Sequence, residues 1–350
     1  MKNRKVFVIA MVVFAGMLST FSFYVYQIIM APNFQVDGQD VRFVIPRGAT
    51  FRSVQDTLYK YKIVNDMVSF SFIAKLMNYT ETVKPGLYTI GPNMTNVQVV
   101  RMLRAGEQTP SKITFSHARL IDDLYTPVTR YLEISAEEFK EALDTFITTN
   151  NEGFTRQNII AMFIPNTYEV YYTISAADLV KKINSEYHRF WNEDNRQKAA
   201  AMGLTPLEVS TLASIVQAEA KMDEESATIA GLYVNRLQRG IPLQADPTLV
   251  FATGDFTLKR VLNEHKEIDS PYNTYKYKGL PPGPINMPTL HSLNAVLNYQ
   301  KHNYIFMCAR EDFSGYHNFT ASLREHNENA RRYQRQLSIE QQKARRLNQN

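Results

Sequence analysis

One glutamate has the sequence position that an acid catalyst needs. Leu212, Ile215 and Val216 recur at the spacing of one helix face. Glu219 is the next position on that face, and a carboxyl among apolar side chains has a raised pKa because its ionised form loses hydration. A carboxylic acid that keeps its proton near neutral pH suits a general acid. The sequence therefore predicts Glu219 as the catalytic residue, with a solvated helix-end carboxyl as the alternative.

The acids that follow Glu219 lack this placement. A second helical pattern is predicted over residues 225–238, and Asp223, Glu224 and Glu225 lie at its start. Carboxylates near a helix N-terminus are stabilised by the helix dipole. We therefore expect these three side chains to stabilise the start of that helix.

Aromatic and amide side chains concentrate in the proline-rich loops of residues 241–291. Aromatic faces stack on sugar rings, and amides bond hydroxyl and N-acetyl groups. Proline-rich loops hold such groups at low entropic cost. The predicted substrate-binding residues are Gln244, Asp246, Tyr272, Asn273 and Tyr275, and a purely structural loop role is the alternative for each.

Taken in order, these segments resemble the YceG-like (MltG) endolytic murein transglycosylase family. The main motifs are Ala213-Ser-Ile-Val-Gln-Ala-Glu219, Ala230-Gly-Leu-Tyr-Val-Asn-Arg-Leu237, Leu243-Gln-Ala-Asp-Pro-Thr248, Tyr272-Asn-Thr-Tyr275 and Gly279-Leu-Pro-Pro-Gly-Pro-Ile285. Flanking motifs are Phe163-Ile-Pro-Asn-Thr-Tyr168 and His317-Asn-Phe319. The resemblance covers nearly the whole chain, and the ordered set is far more specific than any single motif.

The resemblance implies an enzyme that cuts nascent peptidoglycan strands outside the membrane and limits their length. In the family the helix reads Ala-Ser-Ile-x-Glu-x-Glu-Thr, and the second glutamate, here Glu219, is catalytic. This chain has Gln217 in place of the first glutamate and Ala220 in place of the threonine. A mechanism that needs only the second carboxyl is compatible with both changes. Residues 111–345 are the implied catalytic domain.

The expected reaction breaks the β-1,4 bond between N-acetylmuramic acid and N-acetylglucosamine. Glu219 would protonate the leaving oxygen and then accept the proton of the muramic C6 hydroxyl, which closes a 1,6-anhydro ring. Such a route needs one acid where ordinary glycosidases use two. His317 is expected to line the cleft or support it. No His, Cys or Asp cluster has metal-ligand spacing, so neither metal nor cofactor is expected.

Three other functions remain open from the sequence. A hydrolytic muramidase would use Glu219 as acid and Asp246 as base or nucleophile. A non-catalytic scaffold would bind peptidoglycan through residues 41–106 and recruit peptidoglycan synthases. An interaction protein would use the basic C-terminal helix, with Arg324, Arg331, Arg332, Arg335, Arg345 and Arg346.

The N-terminal segment predicts a membrane anchor. Val6 to Met30 are 25 residues without a charge, and about 20 suffice to span a bilayer as a helix. The positive charges of Lys2, Arg4 and Lys5 place residues 1–5 in the cytoplasm and the remainder on the periplasmic or extracytoplasmic side of the cytoplasmic membrane. A cleaved signal peptide is the alternative, although no small-x-small cleavage site closes the run.

The remaining chain predicts an α+β fold, because helices and strands mix without regular βαβ alternation. Residues 31–40 are predicted as a polar linker and residues 41–110 as a small strand-helix-helix-strand-helix domain. The sequence Ile45-Pro-Arg-Gly-Ala-Thr50 resembles the opening of LysM-type glycan-binding modules, and a spacer without ligand is the alternative.

Composition narrows the function classes further. With 44% hydrophobic residues the chain can bury a core. Its net charge is +5, and the three N-terminal cations leave only +2, which argues against nucleic-acid binding. The single cysteine, Cys308, excludes an intrachain disulfide and is predicted to be a buried thiol in a strand.

Overall fold

A computed structural model describes residues 2–34, 38–258 and 260–347 of the chain. It has the predicted mixture of helices and antiparallel strand pairs. The elements separate into two compact units, and the first contains the chain up to Ile113 together with Thr129–Ser135 and Tyr168–Ser175. The second contains Thr114–Val128, Ala136–Thr167 and the chain from Ala176 onward. Separate roles for residues 41–110 and 111–345 stay a prediction.

The first half of the chain forms these elements in order: α1 Lys2–Ile29, β1 Pro32–Phe34, β2 Val41–Ile45, α2 Phe51–Lys60, α3 Met67–Leu76, β3 Gly86–Ile90, β4 Met94–Thr95, α4 Asn96–Ala105, β5 Ser111–Phe115, α5 Asp122–Thr129, α6 Ala136–Thr149 and β6 Asn166–Val170. The strands pair as β1 with β4, β2 with β3, and β5 with β6.

The second half is mainly helical: α7 Ala176–Phe190, α8 Glu193–Ala201, α9 Pro206–Glu219, α10 Ser226–Gln238, α11 Asp246–Thr253, α12 Leu290–Leu297, β7 Phe306–Ala309, β8 His317–Thr320 and α13 Leu323–Leu347. Two of these helices differ from the sequence prediction. Helix α8 has no apolar stripe to reveal it. Helix α11 begins at Asp246-Pro247, where an extended segment was expected, because proline is well suited to the first turn of a helix.

Helix α1 is the membrane-anchor candidate. The stretch Arg4–Ile29 is long and apolar enough to cross a bilayer, and its most apolar part is not buried within the protein. Its last turn packs Ile28 and Ile29 against the core of the first unit. The Asn96 side chain donates a 3.0 Å hydrogen bond to the carbonyl of Ile28. The end of α1 is therefore attached to the folded unit.

The predicted linker of residues 31–40 is wrong over its first part. Pro32–Phe34 is strand β1, with Asn33 and Phe34 buried, and residues 35–37 lie outside the described residues. The polar composition suggested exposure, but the Asn33 amide is fully used inside the unit. It donates to Asn96 Oδ1 at 2.7 Å and accepts from the Asp66 backbone at 2.8 Å.

The first unit has the strand and helix order predicted for residues 41–106. Strands β2 and β3 pair antiparallel from Val41 opposite Ile90 to Ile45 opposite Gly86. Helices α2, α3 and α4 contribute most of the remaining core side chains, and Phe34 of β1, Ile63 and Tyr79 complete the core cluster. Thr95 is the N-cap of α4, which leaves the Asn96 side chain free for the buried network. The likeness to a LysM module stays a prediction.

The second unit surrounds helix α9, which packs against α10, α11 and α12. Thr205 caps α9, Glu208 completes a capping box, and Pro206 fits the first turn. Ser210 to Val216 are all buried. A helix held on several sides fixes the position of its last residue, which is Glu219.

The strand pair β7–β8 is confirmed, in register from Phe306 opposite Thr320 to Ala309 opposite His317. Its predicted full burial is wrong, because all four residues of β7 are only partly buried. A two-stranded sheet that packs mainly against α13 leaves one side accessible. Cys308 is accordingly half-buried, and burial raises the pKa of its thiol.

Candidate active site

Two cavities of the second unit meet at the end of helix α9. The larger has a volume of about 700 Å³ and the smaller about 380 Å³. Three titratable side chains line both: Glu219, Asp246 and His317. They come from α9, the start of α11 and the start of β8. The structure thus brings together two predicted site residues and the histidine of a flanking motif.

Glu219 has the protonation behaviour expected of a general acid. Burial raises the pKa of its carboxyl from 4.5 to about 7, and the negative charge of Asp246 adds to that rise. A 3.1 Å hydrogen bond from the Tyr233 hydroxyl and the charge of Arg236 lower the pKa of Glu219 in part. A substantial fraction of the carboxyl therefore holds its proton at neutral pH.

Tyr233 and Arg236 were not predicted as site residues. Both lie on α10 three positions apart, so they share a helix face, and both are buried. Arg236 donates to the carbonyls of Ile305 and Leu243 at 2.6 and 2.8 Å. Burial lowers the pKa of its guanidinium and raises that of the Tyr233 hydroxyl. Both residues lie within the Ala230–Leu237 motif, and this was the sequence feature that could have identified them as site residues.

Asp246 and Tyr275 line the smaller cavity and are bonded to each other. The Tyr275 hydroxyl donates to Asp246 Oδ1 at 2.5 Å, which joins the 243–248 and 270–275 loops. Gln244 lines the same cavity and accepts a 3.2 Å bond from Arg236 through Oε1. Three predicted binding residues, Gln244, Asp246 and Tyr275, therefore lie together beside Glu219.

Tyr272 and Asn273 are not among the described residues that line either cavity. Asn273 is fully buried, and its amide donates to the carbonyls of Lys266 and Ile268 at 2.8 Å. Its Oδ1 accepts from the backbone of Tyr275 at 3.0 Å. The Tyr272 ring packs 4.6 Å from the ring of Phe251. In this conformation both side chains shape the loop, and their predicted contact with substrate stays a prediction.

His317 lies at the junction of the cavities and is bound to a buried acid. Glu225 is 6% exposed, and its Oε2 lies 2.8 Å from His317 Nδ1, within hydrogen-bond distance. It also accepts the His317 backbone N–H, at 2.9 and 3.1 Å to its two oxygens. Glu225 is the N-cap residue of α10 but makes no side-chain cap bond there, and its stabilisation of the helix through the dipole stays a prediction.

The larger cavity carries a basic lining that the sequence analysis did not identify. Arg119, Lys221 and Arg260 line it together with His117, whereas its acids are Glu219 and Asp246. The Arg119 guanidinium lies 4.5 Å above the ring of Phe256, which the cavity also exposes. These cations belong to separate segments, so no local pattern could have revealed them. No metal-binding group of three or more His, Cys, Asp or Glu occurs among the described residues.

The model of the YceG-like family matches residues 43–332. The chain belongs to the YceG-like family. It resembles proteins named endolytic murein transglycosylase in two bacteria. The one from Streptococcus pneumoniae (serotype 2, strain D39) is 26% identical over 338 residues, which cover 87% of this chain and 61% of that protein. The one from Bacillus subtilis strain 168 is 27% identical over 313 residues, 84% of each chain.

The similarity to other YceG-like proteins covers different shares of their chains. The chain spans about 61% of the pneumococcal protein's length. The crystal structure of a yceG-like protein from Listeria monocytogenes has a TM-score of 0.53 and 26% sequence identity to this chain. The match covers 83% of this chain and 98% of that one. The mixed α and β architecture described above is thus shared with a solved YceG-like structure.

Gln217 departs from the family motif and has a defined structural role. Its Oε1 accepts the backbone N–H of Thr289 at 2.7 Å and the hydroxyl of Ser292 at 3.1 Å. The amide therefore holds the start of α12 against α9, and one face of it reaches the larger cavity. Both hydrogen bonds need only an oxygen acceptor on residue 217. The neutral amide of Gln217 supplies that oxygen.

Proposed function

We propose that this YceG-like protein is an endolytic lytic transglycosylase of peptidoglycan with Glu219 as its acid and base. The observation that carries the proposal is a carboxyl with a pKa of about 7 at the junction of two cavities. The names of the pneumococcal and Bacillus relatives support peptidoglycan as substrate.

The reaction starts with proton transfer from Glu219 to the glycosidic oxygen between N-acetylmuramic acid and N-acetylglucosamine. The bond from C1 of the muramic residue to that oxygen breaks, and the C6 hydroxyl of the same residue bonds to C1. The Glu219 carboxylate receives the hydroxyl proton, so the enzyme is regenerated without water. A pKa near neutrality suits both directions of transfer. The product strand ends in 1,6-anhydro-N-acetylmuramic acid.

Groups around Glu219 suit the positive charge that develops at C1. Asp246 is exposed in both cavities and oriented by Tyr275, so its charge acts on the sugar. Gln244 and Tyr275 offer polar groups in the smaller cavity. Preorganised charges and dipoles of this kind stabilise transition states strongly. Asn273 and Tyr272 contribute by holding the loop.

Two cavities that meet at the acid suit a cut within a strand, because sugars can be held on both sides of the bond. The basic lining of the larger cavity suits the carboxylates of muramic acid side chains and their peptides. We assign the muramyl peptide to this cavity. Arg119 and Lys221 are the side chains expected to meet its carboxylates.

Helix α1 supports a proposal about where in the cell the protein acts. Residues 6–30 span the cytoplasmic membrane, residues 1–5 stay in the cytoplasm, and the folded units face the peptidoglycan. Attachment of the end of α1 to the first unit would keep the site near newly made strands. Cutting there would terminate strand elongation, with peptidoglycan synthases as partners and the first unit as a LysM-like glycan contact.

The test is digestion of purified sacculi with the full chain in detergent, followed by mass analysis of the new ends. Anhydro ends that disappear with Glu219→Gln support the proposal. Reducing ends, which carry one added water, would instead indicate the hydrolytic muramidase with Asp246 as second carboxylate. Retained glycan binding without any cleavage by the wild type would indicate the non-catalytic scaffold.

A further inference from the structure

Helix α3 exposes an apolar surface in the same unit as α1, the membrane-anchor candidate. Val68, Phe72 and Leu76 are 76%, 57% and 66% exposed. They follow one another at every fourth position, so they form one apolar stripe about 12 Å long on the outer side of the helix. The other side of α3 packs Phe70 and Ile73 into the core of the first unit. Helix α3 is therefore apolar on both sides.

The polar side chains of α3 do not interrupt the apolar stripe. The Ser69 hydroxyl donates to the carbonyl of Asp66 at 3.0 Å, and the Ser71 hydroxyl donates to the carbonyl of Met67 at 2.6 Å. Lys75, the one charged residue of the helix, is exposed beside the stripe. A helix that is apolar all round is typically buried in a large core or in lipid. The exposed stripe therefore calls for an apolar partner.

Hydrogen bonds join the start of α3 to the end of α1. The Asn96 amide donates to the Ser69 hydroxyl and to the Ile28 carbonyl, at 3.0 Å each, and α1 also contacts α3 directly. Phe72 and Leu76 follow Ser69 by three and seven positions, so they lie on the same side of the helix as that serine. The apolar stripe thus begins beside the end of α1, on the side of α3 that is bonded to α1.

Only Met30 and Ala31 separate α1 from the first unit. Helix α1 ends at Ile29, and strand β1 begins at Pro32 and leads to the fully buried Phe34. The connection between them spans at most about 11 Å even when it is extended. The unit therefore stays at the surface of any bilayer that α1 spans. The lipid around α1 is then the apolar phase nearest to the stripe.

We propose that the apolar stripe of α3 docks on the outer surface of the cytoplasmic membrane, with Val68, Phe72 and Leu76 among the acyl chains just below the headgroups. Interfacial helices bury an apolar side about 5 to 10 Å deep. Lys75 extends its ammonium group to the lipid phosphates, as lysines beside buried apolar surface do. The proposal rests on the membrane-anchor part of the proposed function and adds a second attachment, which limits the tilt of the first unit about α1.

Fluorescent probes at single cysteines of the full chain, reconstituted in lipid vesicles, test the docking. A Cys308→Ala background receives either Phe72→Cys or Leu76→Cys, because Cys308 is the only native cysteine. Met17→Cys, near the middle of α1, reports on the anchor. Ala200→Cys, exposed on the polar helix α8, is the matched control. The vesicles contain phosphatidylethanolamine and phosphatidylglycerol, with quenching bromine atoms either near the headgroup end or near the methyl end of the acyl chains.

The depth of each probe decides the expected result. Bromines near the headgroups should remove at least about half of the fluorescence at positions 72 and 76 and should quench more than deep bromines, because interfacial side chains lie at that depth. The Met17 probe should show the opposite order, and the Ala200 probe should lose little with either lipid. Quenching at positions 72 and 76 should persist when more lipid dilutes the protein.

The proposal is overturned if the Met17 probe is quenched while the probes at positions 72 and 76 match the Ala200 control. Quenching that disappears on dilution with lipid would assign the stripe to a second copy of the chain. Quenching that disappears when peptidoglycan fragments are added would assign it to glycan, and either result contradicts docking on lipid. An unquenched Met17 probe would contradict the anchor and the docking together, whereas digestion of sacculi judges the catalytic proposal separately.

Discussion

The two units bury their polar groups in different ways. The first unit uses neutral side chains: the Asn33 and Asn96 amides bond one another at 2.7 Å and both bond Ser69. The second unit buries charge, with Glu225 and Arg236 almost inaccessible and Glu219 at the cavity junction. The contribution of hydrogen bonds between neutral side chains to stability does not depend on pH in the ordinary range. Buried ionisable groups, in contrast, acquire shifted pKa values, so their contribution does depend on pH. Among the described residues, the buried ionisable groups that can acquire shifted pKa values thus lie mainly in the second unit, and a scaffold role for the first unit stays a prediction.

The largest expected effect is on catalysis in the second unit. Glu219→Gln keeps the shape of the side chain but removes the transferable proton, so we expect cleavage to fall at least about 1000-fold. Release of strand ends from sacculi measures it. Glu208→Gln, a change in the capping box of the same helix, is the control. Activity within tenfold of wild type would remove Glu219 from the mechanism.

The second expected effect is on stability, because the ionised Glu219 carboxylate lowers the free energy of unfolding. Its pKa is higher in the folded chain than the ordinary 4.5, so folding favours the protonated form. Below pH 4.5 the cost is absent, and it is complete above about pH 7. Glu219→Gln should therefore stabilise the chain by at most roughly 3 kcal/mol at pH 8 and hardly at pH 4. Denaturant unfolding at both pH values measures this, and a pH-independent difference would contradict it.

The first unit should behave in the opposite way. Asn96→Ala leaves the amide of Asn33 and the Ile28 carbonyl without their partner, which costs about 1 to 3 kcal/mol. The loss should be equal at pH 5 and pH 8, because no charge is involved. Asn65→Ala, at an exposed position in the same unit, is the control and should stay within about 0.5 kcal/mol. A strong pH dependence for Asn96→Ala would break the comparison.

A smaller change should appear in the pH profile. Tyr233→Phe removes the donor that stabilises ionised Glu219, so the pKa of that carboxyl should rise by about one unit. Activity that depends on the protonated acid is lost as pH rises through this pKa, and the alkaline limb should move to higher pH. Tyr277→Phe, which removes an exposed phenol bond to Asp269, should leave the profile in place. A downward shift would contradict the assigned role of Tyr233.

The smallest effect concerns the basic lining. Arg119→Gln and Lys221→Gln should each raise KM about two- to fivefold, since exposed cations contribute little individually. The increase should shrink when salt screens the charges, and when the peptide carboxylates of the substrate are amidated. Lys301→Gln makes the same charge change away from the cavities. Equal KM changes for all three variants would argue against a carboxylate contact.

Much of the fold follows from local patterns. Apolar spacing predicted α9 with Glu219 on the face of Leu212 and Val216, and the structure ends this helix at Glu219. The wrong predictions concern segments whose local sequence pattern does not indicate their structure. Helix α8 has no apolar stripe, and α11 starts at the Asp246-Pro247 pair within a proline-rich loop segment. Asn33 looked like a linker residue because its partners, Asp66 and Asn96, are distant in sequence.

The sequence by itself indicated the mixed α and β fold, the apolar N-terminal helix and the position of Glu219 on an apolar helix face, because each depends on spacing within a short segment. Tertiary structure alone decided what surrounds Glu219. Tyr233 bonds it from α10, Asp246 and His317 line the same cavity from separate elements, and Glu225 meets His317 across 92 residues. Burial and charge proximity set a pKa, and both are properties of the folded chain that no local pattern encodes.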